Sequence, residues 1–271
     1  MWPETSIFGM LGATGKNQGL PRETGALRLY PLIIRGNRGM NRSKNILVLG
    51  GHLDDSVLAI GGIIKKLTQS GHQVSVVCMG NGDEGFAHLH ERATVKEKFH
   101  REALEAHALL GVSDFTCHQY SDFEVNECKD IYRLCIQAIR RVKPELIFAH
   151  FPLEYFQHRA MARMSEDTWF QAAWACSADL GEPHQARAMY RFEVLQSMPE
   201  PTHIVDVSDC FETKLQAWAA FKTGQEHLSE EFDKMEARAR FHGSKIGVRY
   251  AEALTQSFFM PLAVTDPARQ L

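Results

Sequence analysis

The chain contains 271 residues, of which 44% are hydrophobic and 23% are charged, and its formal net charge is −3. This composition is typical of a globular protein that is long enough for one large α/β domain. The weak negative charge excludes a global basic field that would recruit nucleic acid or an anionic membrane surface.

Cysteine usage and hydropathy narrow the class of protein further. Six cysteines are scattered along the chain without a CxxC pair. This pattern argues against a secreted disulfide framework and favours a reduced, cytoplasmic location. No apolar run reaches the length of a membrane span, so we expect a protein without a transmembrane segment.

Residues 1–43 differ in character from the rest of the chain. They are rich in glycine and basic side chains and show little periodicity, which favours a disordered N-terminal extension or an upstream start codon. Met40 would make a natural start directly before the first strand. A targeting segment is less favoured, because several prolines would break an amphipathic helix. Residues 44–260 would then form the domain, and residues 261–271 a C-terminal tail.

The first predicted strand ends in a group of polar side chains. Residues 45–49 form a short apolar run closed by glycine, which is typical of a buried strand, and residues 57–67 have the pattern of a helix. His52, Asp54 and Asp55 lie between the two. Ligands bind at this end of the strands in open α/β sheets. The simpler alternative is that one of the two carboxylates only caps the helix.

Strands and helices are predicted to alternate along the remainder of the chain. The further strands are predicted at 74–79, 115–119, 146–149, 188–195 and 203–207, and the further helices at 91–110, 128–142, 158–177, 211–222 and 230–241. Such alternation predicts an α/β fold, with a mostly parallel sheet covered by helices on both faces in a single domain.

A second polar group follows the strand predicted at 146–149. His158 lies where the next helix begins. If both strands are central in the sheet, their C-terminal loops meet, and His158 faces His52 and Asp55. Two histidines and one aspartate form a ligand set of catalytic zinc, with water or substrate in the fourth position. Asp54 would be left to act as a general base on that water.

These two groups resemble the motifs of the PIG-L/LmbE family of metal-dependent de-N-acetylases. The first family motif is usually written (A/P)HPDD and the second HPDH or HxDH. Residues 201–208 and 240–253 are similar to later blocks of the same family. The resemblance implies a Rossmann-like fold and a bound zinc ion, for which Fe²⁺ or another divalent metal can substitute.

The resemblance also implies a role for single residues. His52, Asp55 and His158 stand at the positions of the metal ligands, and Asp54 stands at the position of the general base. The implied reaction is amide hydrolysis, in which metal-activated water attacks the acetyl carbonyl and acetate leaves the amine.

The chain departs from the family pattern beside the second motif. Gln157 stands where an aspartate is usual. Tyr155 replaces a histidine thought to stabilise the transition state or to protonate the leaving amine, and a one-residue gap would put Phe156 there instead. We expect Tyr155 to act as the catalytic partner, with His150 as an alternative. A slow or repurposed site is a further interpretation of these replacements.

Three more carboxylates are candidates for contact with the substrate. Asp83 and Glu84 lie in a glycine-rich loop after the second strand, and Asp122 follows the third. Each is either an ordinary loop carboxylate or an acceptor for sugar hydroxyl groups.

The sequence thus predicts a zinc-dependent hydrolase that removes the N-acetyl group from an N-acetylglucosamine-type sugar or small glycoconjugate. The alternatives are an amidase for a larger acyl group of a glycoconjugate and a non-catalytic protein that binds metal or glycan. A nucleotide-binding protein is disfavoured, because residues 50–55 lack the GxGxxG pattern and carry two carboxylates. The expected partner is a small N-acetylated sugar rather than nucleic acid, and assembly into a homo-oligomer is left open.

Overall fold

The computed structural model describes residues 43–259, which form a seven-stranded sheet flanked by helices. The strands are β1 (Asn45–Gly50), β2 (Gln73–Gly80), β3 (Asp114–Tyr120), β4 (Leu146–His150), β5 (Ala188–Phe192), β6 (His203–Asp206) and β7 (Ala251–Gln256). Their order across the sheet is β3-β2-β1-β4-β5-β7-β6. The first five strands pair in parallel, whereas β7 is antiparallel to both β5 and β6. The predicted α/β class with a mostly parallel sheet is confirmed.

Seven α-helices occur within the described residues. They are α1 (Asp55–Gln69), α2 (Val95–Leu110), α3 (Lys129–Val142), α4 (Phe156–Ala172), α5 (Phe211–Ala220), α6 (Lys222–His227) and α7 (Glu231–Ile246). None of the helices in this part of the chain combines the length and apolarity that crossing a membrane requires.

The centre of the sheet is buried on both faces, as expected for a parallel strand between two helical layers. Ile46 and Val48 of β1 belong to a core that includes side chains of α1, α2 and α5. Leu47 and Leu49 point to the opposite face and belong to a core with side chains of α3 and α4. The alternation follows from the two-residue repeat of a strand.

The register of β1 explains why the two polar groups meet. Val48 pairs with Val76 of β2 on one side and with Phe148 of β4 on the other. The chain leaves β1 toward β2 and later returns to the other side of β1 as β4, so the strand order reverses at this position. Crevices for ligands form at such switch points, at the C-terminal ends of the strands.

The structure differs from the predicted elements at several boundaries. Helix α4 begins at Phe156 and ends at Ala172, earlier at both ends than the predicted 158–177. Strand β7 was not predicted, because its AEALTQ sequence is poor in β-branched and aromatic residues. The proposed C-terminal tail and all but the last residue of the proposed N-terminal extension lie outside the described residues, so both stay predictions.

Candidate metal centre and active site

Asp55 ties together the turn that follows β1. Its Oδ2 accepts hydrogen bonds from the backbone N–H of Gly51 (2.9 Å) and of His52 (2.7 Å). Asp55 is the first residue of α1, and its side chain is buried. The carboxylate therefore fixes the loop that presents His52 and is itself held in place.

His158 reaches the same point from the first turn of α4. Its Nε2 lies 3.0 Å from Asp55 Oδ1 and 3.2 Å from His52 Nδ1. Its Nδ1 lies 2.7 Å from Glu154 Oε2, and Glu154 Oε1 accepts a hydrogen bond from Val194 N–H at 2.6 Å. A carboxylate behind a histidine in this way fixes the ring orientation and is usual for metal ligands.

His52, Asp55 and His158 form a candidate metal-binding group, which we call the three-ligand cluster. Each offers one ligand atom, and the three atoms lie within 4.8 Å of one another. No second group of three such side chains converges in this way in the part of the chain that the structure describes. Two imidazole nitrogens and one carboxylate oxygen suit Zn²⁺ or Fe²⁺, with a position left for water or substrate.

Burial and mutual attraction shift the titration of this cluster. Burial alone would raise the pKa of Asp55, but the imidazoles of His158, His150 and His52 hold that pKa well below its ordinary value. Burial alone would lower the pKa of His158, but the carboxylates of Asp55 and Glu154 raise it to about 9. The cluster thus already pairs opposite charges across its ligand atoms.

The buried side chain of Asp54 lies beside the three-ligand cluster. Burial, with a further contribution from the carboxylate of Asp55, raises the pKa of Asp54 to about 7. Asp54 stands at the N-cap position of α1, yet its side chain makes no capping hydrogen bond. The Asp54 side chain therefore does not cap α1, which was the simpler alternative from the sequence. Its carboxyl group lines a cavity instead.

Tyr155, rather than its neighbour Phe156, lies at the cluster. Its hydroxyl oxygen is 3.2 Å from His52 Nδ1, and its ring stacks nearly parallel to the His52 ring at 5.9 Å between centroids. His150, the other predicted alternative, is fully buried behind the ligands. Its Nε2 lies 3.0 Å from both Gly51 N and Asp55 Oδ2.

The predicted substrate carboxylates occupy different positions. Asp122 lines the cavity, but its oxygens accept hydrogen bonds from the N–H groups of Gly82 (3.0 Å) and Glu84 (3.3 Å) and so shape the glycine loop. Asp83 Oδ1 accepts a hydrogen bond from Asp122 N–H at 2.9 Å, and Asp83 is not among the lining residues. Glu84 lines the cavity. Glu84 is thus the carboxylate of the three that best suits the predicted contact with substrate.

Several side chains at the site were not singled out from the sequence. Glu154 is the most consequential. It lies directly before Tyr155, the N-cap residue of α4, and its position four residues before His158 was the available signal. Leu195 and Leu228 also line the cavity. They come from distant loops, and no local pattern marks them.

Comparison with known proteins agrees with this geometry. Residues 47–169, which include β1, α4 and both polar groups, match the PIG-L family, described as GlcNAc-PI de-N-acetylase. The match covers 123 of the 271 residues. The resemblance inferred from the two motifs is therefore confirmed. The expectation that the related proteins are deacetylases is confirmed as well.

The relatives of this chain are distant in sequence, but the similarity extends over most of its length. Diacetylchitobiose deacetylase of Thermococcus kodakarensis is 24% identical over 244 residues, covering 83% of this chain and 88% of the relative. The structure of N,N'-diacetylchitobiose deacetylase from Pyrococcus horikoshii has a TM-score of 0.74 at 24% identity, covering 85% of this chain and 90% of that chain.

GalB, the 4-carboxy-2-hydroxymuconate hydratase from Pseudomonas putida KT2440, is a third similar structure. It has a TM-score of 0.69 at 25% identity and covers 82% of this chain and 98% of that chain. The same fold therefore also supports a hydratase. The reaction of this chain therefore has to be argued from its site and not from its fold.

Proposed function

We propose that this protein is a metal-dependent deacetylase that hydrolyses the N-acetyl amide of an N-acetylglucosamine-type sugar or small glycoconjugate. The observation that carries the proposal is the convergence of His52, Asp55 and His158 at a cavity that Asp54 also lines. The PIG-L match and the similarity to a diacetylchitobiose deacetylase support the same chemistry.

The three-ligand cluster is proposed to hold Zn²⁺, with Fe²⁺ or another divalent ion as the alternative. Such an ion, when bound, acidifies a water molecule and polarises an acyl carbonyl. The protein contributes the geometry of the ligands. Glu154 holds the His158 ring, and backbone N–H groups hold the Asp55 carboxylate, so both ligands are oriented before any ion arrives.

Asp54 is proposed as the general base. Its buried carboxyl group lines the cavity, makes no capping hydrogen bond and belongs to the residue next to a ligand. It can take a proton from the attacking water as the oxygen adds to the acyl carbon. When the C–N bond breaks, the same proton passes to the leaving nitrogen, so that acetate and a free amine are formed.

Tyr155 is proposed to replace the usual histidine as the electrophilic partner. Its hydroxyl group lies beside His52 and at the cavity, where it can donate a hydrogen bond to the oxygen on which charge develops. Tyr155→Phe should then lower kcat by about 10²–10³-fold with little change in KM. An unchanged kcat would remove the tyrosine from this role, and His150→Ala would be examined next.

The first experiment measures acetate release from free and conjugated N-acetylglucosamine, with metal-stripped protein and after addition of zinc. We expect release only with metal. A protein that binds one zinc ion per chain but releases no acetate from any compound would contradict the proposal. The same assay with butyryl and longer acyl groups would then distinguish an amidase for larger acyl groups from a site that only binds.

The role of Asp54 is tested by Asp54→Asn. The variant should keep its zinc, because all three ligands remain, and lose about 10²–10⁴-fold in kcat. Asp130→Asn is the matched control, since Asp130 is exposed and does not line the cavity. Full activity of Asp54→Asn at normal zinc content would exclude Asp54 as the base.

A further inference from the structure

The cavity at the three-ligand cluster has a volume of about 320 Å³ and walls of two different kinds. The polar side chains gather around the ligands. The apolar part of the lining is formed by Leu58, Phe99, Phe123, Leu195 and Leu228. The volume lies near the lower end of the range of about 300–1,000 Å³ that is usual for small-molecule sites. One sugar ring with a small substituent is therefore the size of ligand that fits.

The polar side chains of the cavity leave few groups for recognition of the substrate. The three ligands, Asp54 and Tyr155 are committed to the chemistry proposed above, and the Asp122 carboxylate is bonded to the glycine loop. Of the polar groups that line the cavity, this leaves Glu84 and Gln157 to bind sugar hydroxyls. Such a set serves one sugar ring but does not serve a second polar unit.

The charge of the cavity is the next constraint. Among the described residues that line it there is no lysine or arginine, whereas Asp54, Glu84 and Asp122 contribute carboxylates. Arg92 lies 3.8 Å from Glu84 with a largely exposed side chain, and Arg238 donates to the backbone oxygen of Leu195 at 3.4 Å, but neither is a lining residue. Away from the three-ligand cluster, an anionic substituent of the substrate would lose water without gaining a lysine or arginine partner, which is costly.

The mouth of the cavity exposes apolar side chains to solvent. Phe123, on the turn after β3, is 71% exposed, and Leu195, in the loop after β5, is 44% exposed. Both line the cavity, so their exposed surfaces continue its apolar wall outward. Apolar side chains exposed together around a concave site are typical of ligand-binding surfaces.

We propose that the preferred substrate is an uncharged N-acetylglucosaminide that carries an apolar aryl or alkyl aglycone. This inference rests on the proposed deacetylase function. The sugar ring lies between Glu84 and the three-ligand cluster, and the aglycone lies against Phe123 and Leu195. Anionic conjugates are rejected because no lysine or arginine lines the cavity and the carboxylates of Glu84 and Asp122 repel them.

The test compares phenyl N-acetylglucosaminide with the malyl conjugate of the same anomer, using zinc-loaded full-length protein. We expect kcat/KM for acetate release to be at least tenfold higher for the phenyl compound. Dissociation constants are measured in parallel by calorimetry on zinc-loaded Asp54→Asn, where turnover is suppressed. Equal or tighter binding of the malyl compound would overturn the inference.

Phe123→Ala should lower the ratio of kcat/KM for the phenyl compound to that for free N-acetylglucosamine by about tenfold. The reason is that the phenyl aglycone loses the apolar contact area that the Phe123 ring provides. Phe258→Ala is the matched control, because Phe258 is also 71% exposed but does not line the cavity. Equal ratios in the two variants would remove Phe123 from substrate recognition and overturn the assignment of the aglycone site.

Leu195→Arg adds the missing cation at the mouth of the cavity. It should raise kcat/KM for the malyl compound relative to the phenyl compound by about tenfold at low salt, and less at high salt. If no compound releases acetate but the phenyl compound still binds more tightly than the malyl compound, the deacetylase proposal fails and the ligand preference stands. If acetate is released but the phenyl compound is not preferred, the deacetylase proposal stands and the proposed ligand preference fails.

Discussion

Two groups of buried charges lie at opposite ends of the first half of α1, and they are neutralised in different ways. At Ile60 the helix departs from helical geometry (φ −129°, ψ 26°). Glu252 of β7 accepts hydrogen bonds from the freed N–H groups of Gly62 (3.0 Å) and Ile63 (2.8 Å). Lys214 of α5 donates to Glu252 at 2.6 Å and to Ala59 O at 3.3 Å. We call Lys214 and Glu252 the helix-break pair.

The helix-break pair is complete within the protein. One positive and one negative side chain face each other, both less than 4% exposed, and both are bonded to the backbone groups that the break releases. The absence of a side chain at Gly62 lets Val207 pack directly against α1, because a Cβ at Gly62 would lie only 2.7 Å from Val207 Cβ. The pair therefore fixes the helix that begins with Asp55.

The three-ligand cluster, by contrast, turns its donor atoms toward a cavity. Its imidazoles and carboxylate contact one another, but the same atoms are close enough together to bind a single cation. The helix-break pair is thus expected to matter for folding, and the three-ligand cluster for binding an ion.

The largest effect is expected at the helix-break pair. Glu252→Gln leaves the buried Lys214 ammonium without its counter-charge, and loss of one partner of a buried pair costs about 3–5 kcal/mol. Urea unfolding of the metal-free protein measures this as a lower free energy of unfolding. The double variant Lys214→Met/Glu252→Gln should recover part of the loss, because the unpaired charge is gone. A single variant within about 1 kcal/mol of wild type would contradict the assignment.

Zinc is expected to stabilise the protein through the three-ligand cluster alone. At a hundredfold excess over its dissociation constant, an ion that binds only the folded state adds about 2.7 kcal/mol. Thermal unfolding with and without zinc should show this gain in wild type and in Glu252→Gln, but not in His158→Ala. His203→Ala is the control histidine, since it lies on β6 outside the cavity. A persisting zinc effect in His158→Ala would place the third ligand elsewhere, with His150 the first candidate.

The fold of the central sheet could be predicted because its signals are local. Strand β1 is an apolar run closed by glycine, and the polar residues that follow it sit where parallel strands end. Strand β7 could not be predicted in the same way. It pairs antiparallel with strands whose partner residues precede its own by 45–66 positions, and its own residues have low strand propensity.

The candidate site shows the same division. His52, Asp55 and His158 were predicted because each follows a strand within a short motif, and the structure brings them together. Glu154 acts through backbone groups forty residues later, and Glu252 through groups 190 residues earlier. Such contacts depend on how loops and edge strands pack, which hydrophobic periodicity does not encode. The identity of the metal and the catalytic roles remain predictions.

The smallest effect is expected from Glu154→Gln, which changes one atom behind His158. The amide oxygen can still accept from Val194 N–H, but the amide NH₂ then faces the Nδ1–H of the imidazole, and two donors repel. The ring must rotate or change tautomer, which makes it a poorer ligand. Loss of such a supporting carboxylate typically weakens metal affinity by about 10–100-fold.

Competition with a chromophoric chelator measures the zinc affinity of this variant. Glu127→Gln is the matched control, because Glu127 is paired with Arg163 at the surface, away from the cavity. Urea unfolding of the metal-free Glu154→Gln protein separates two explanations. A stability close to wild type with weaker zinc binding means that Glu154 acts on the ligand. A large loss of stability with unchanged zinc affinity means that it acts on the loop at Val194, and Glu154 would then belong with the helix-break pair rather than with the three-ligand cluster.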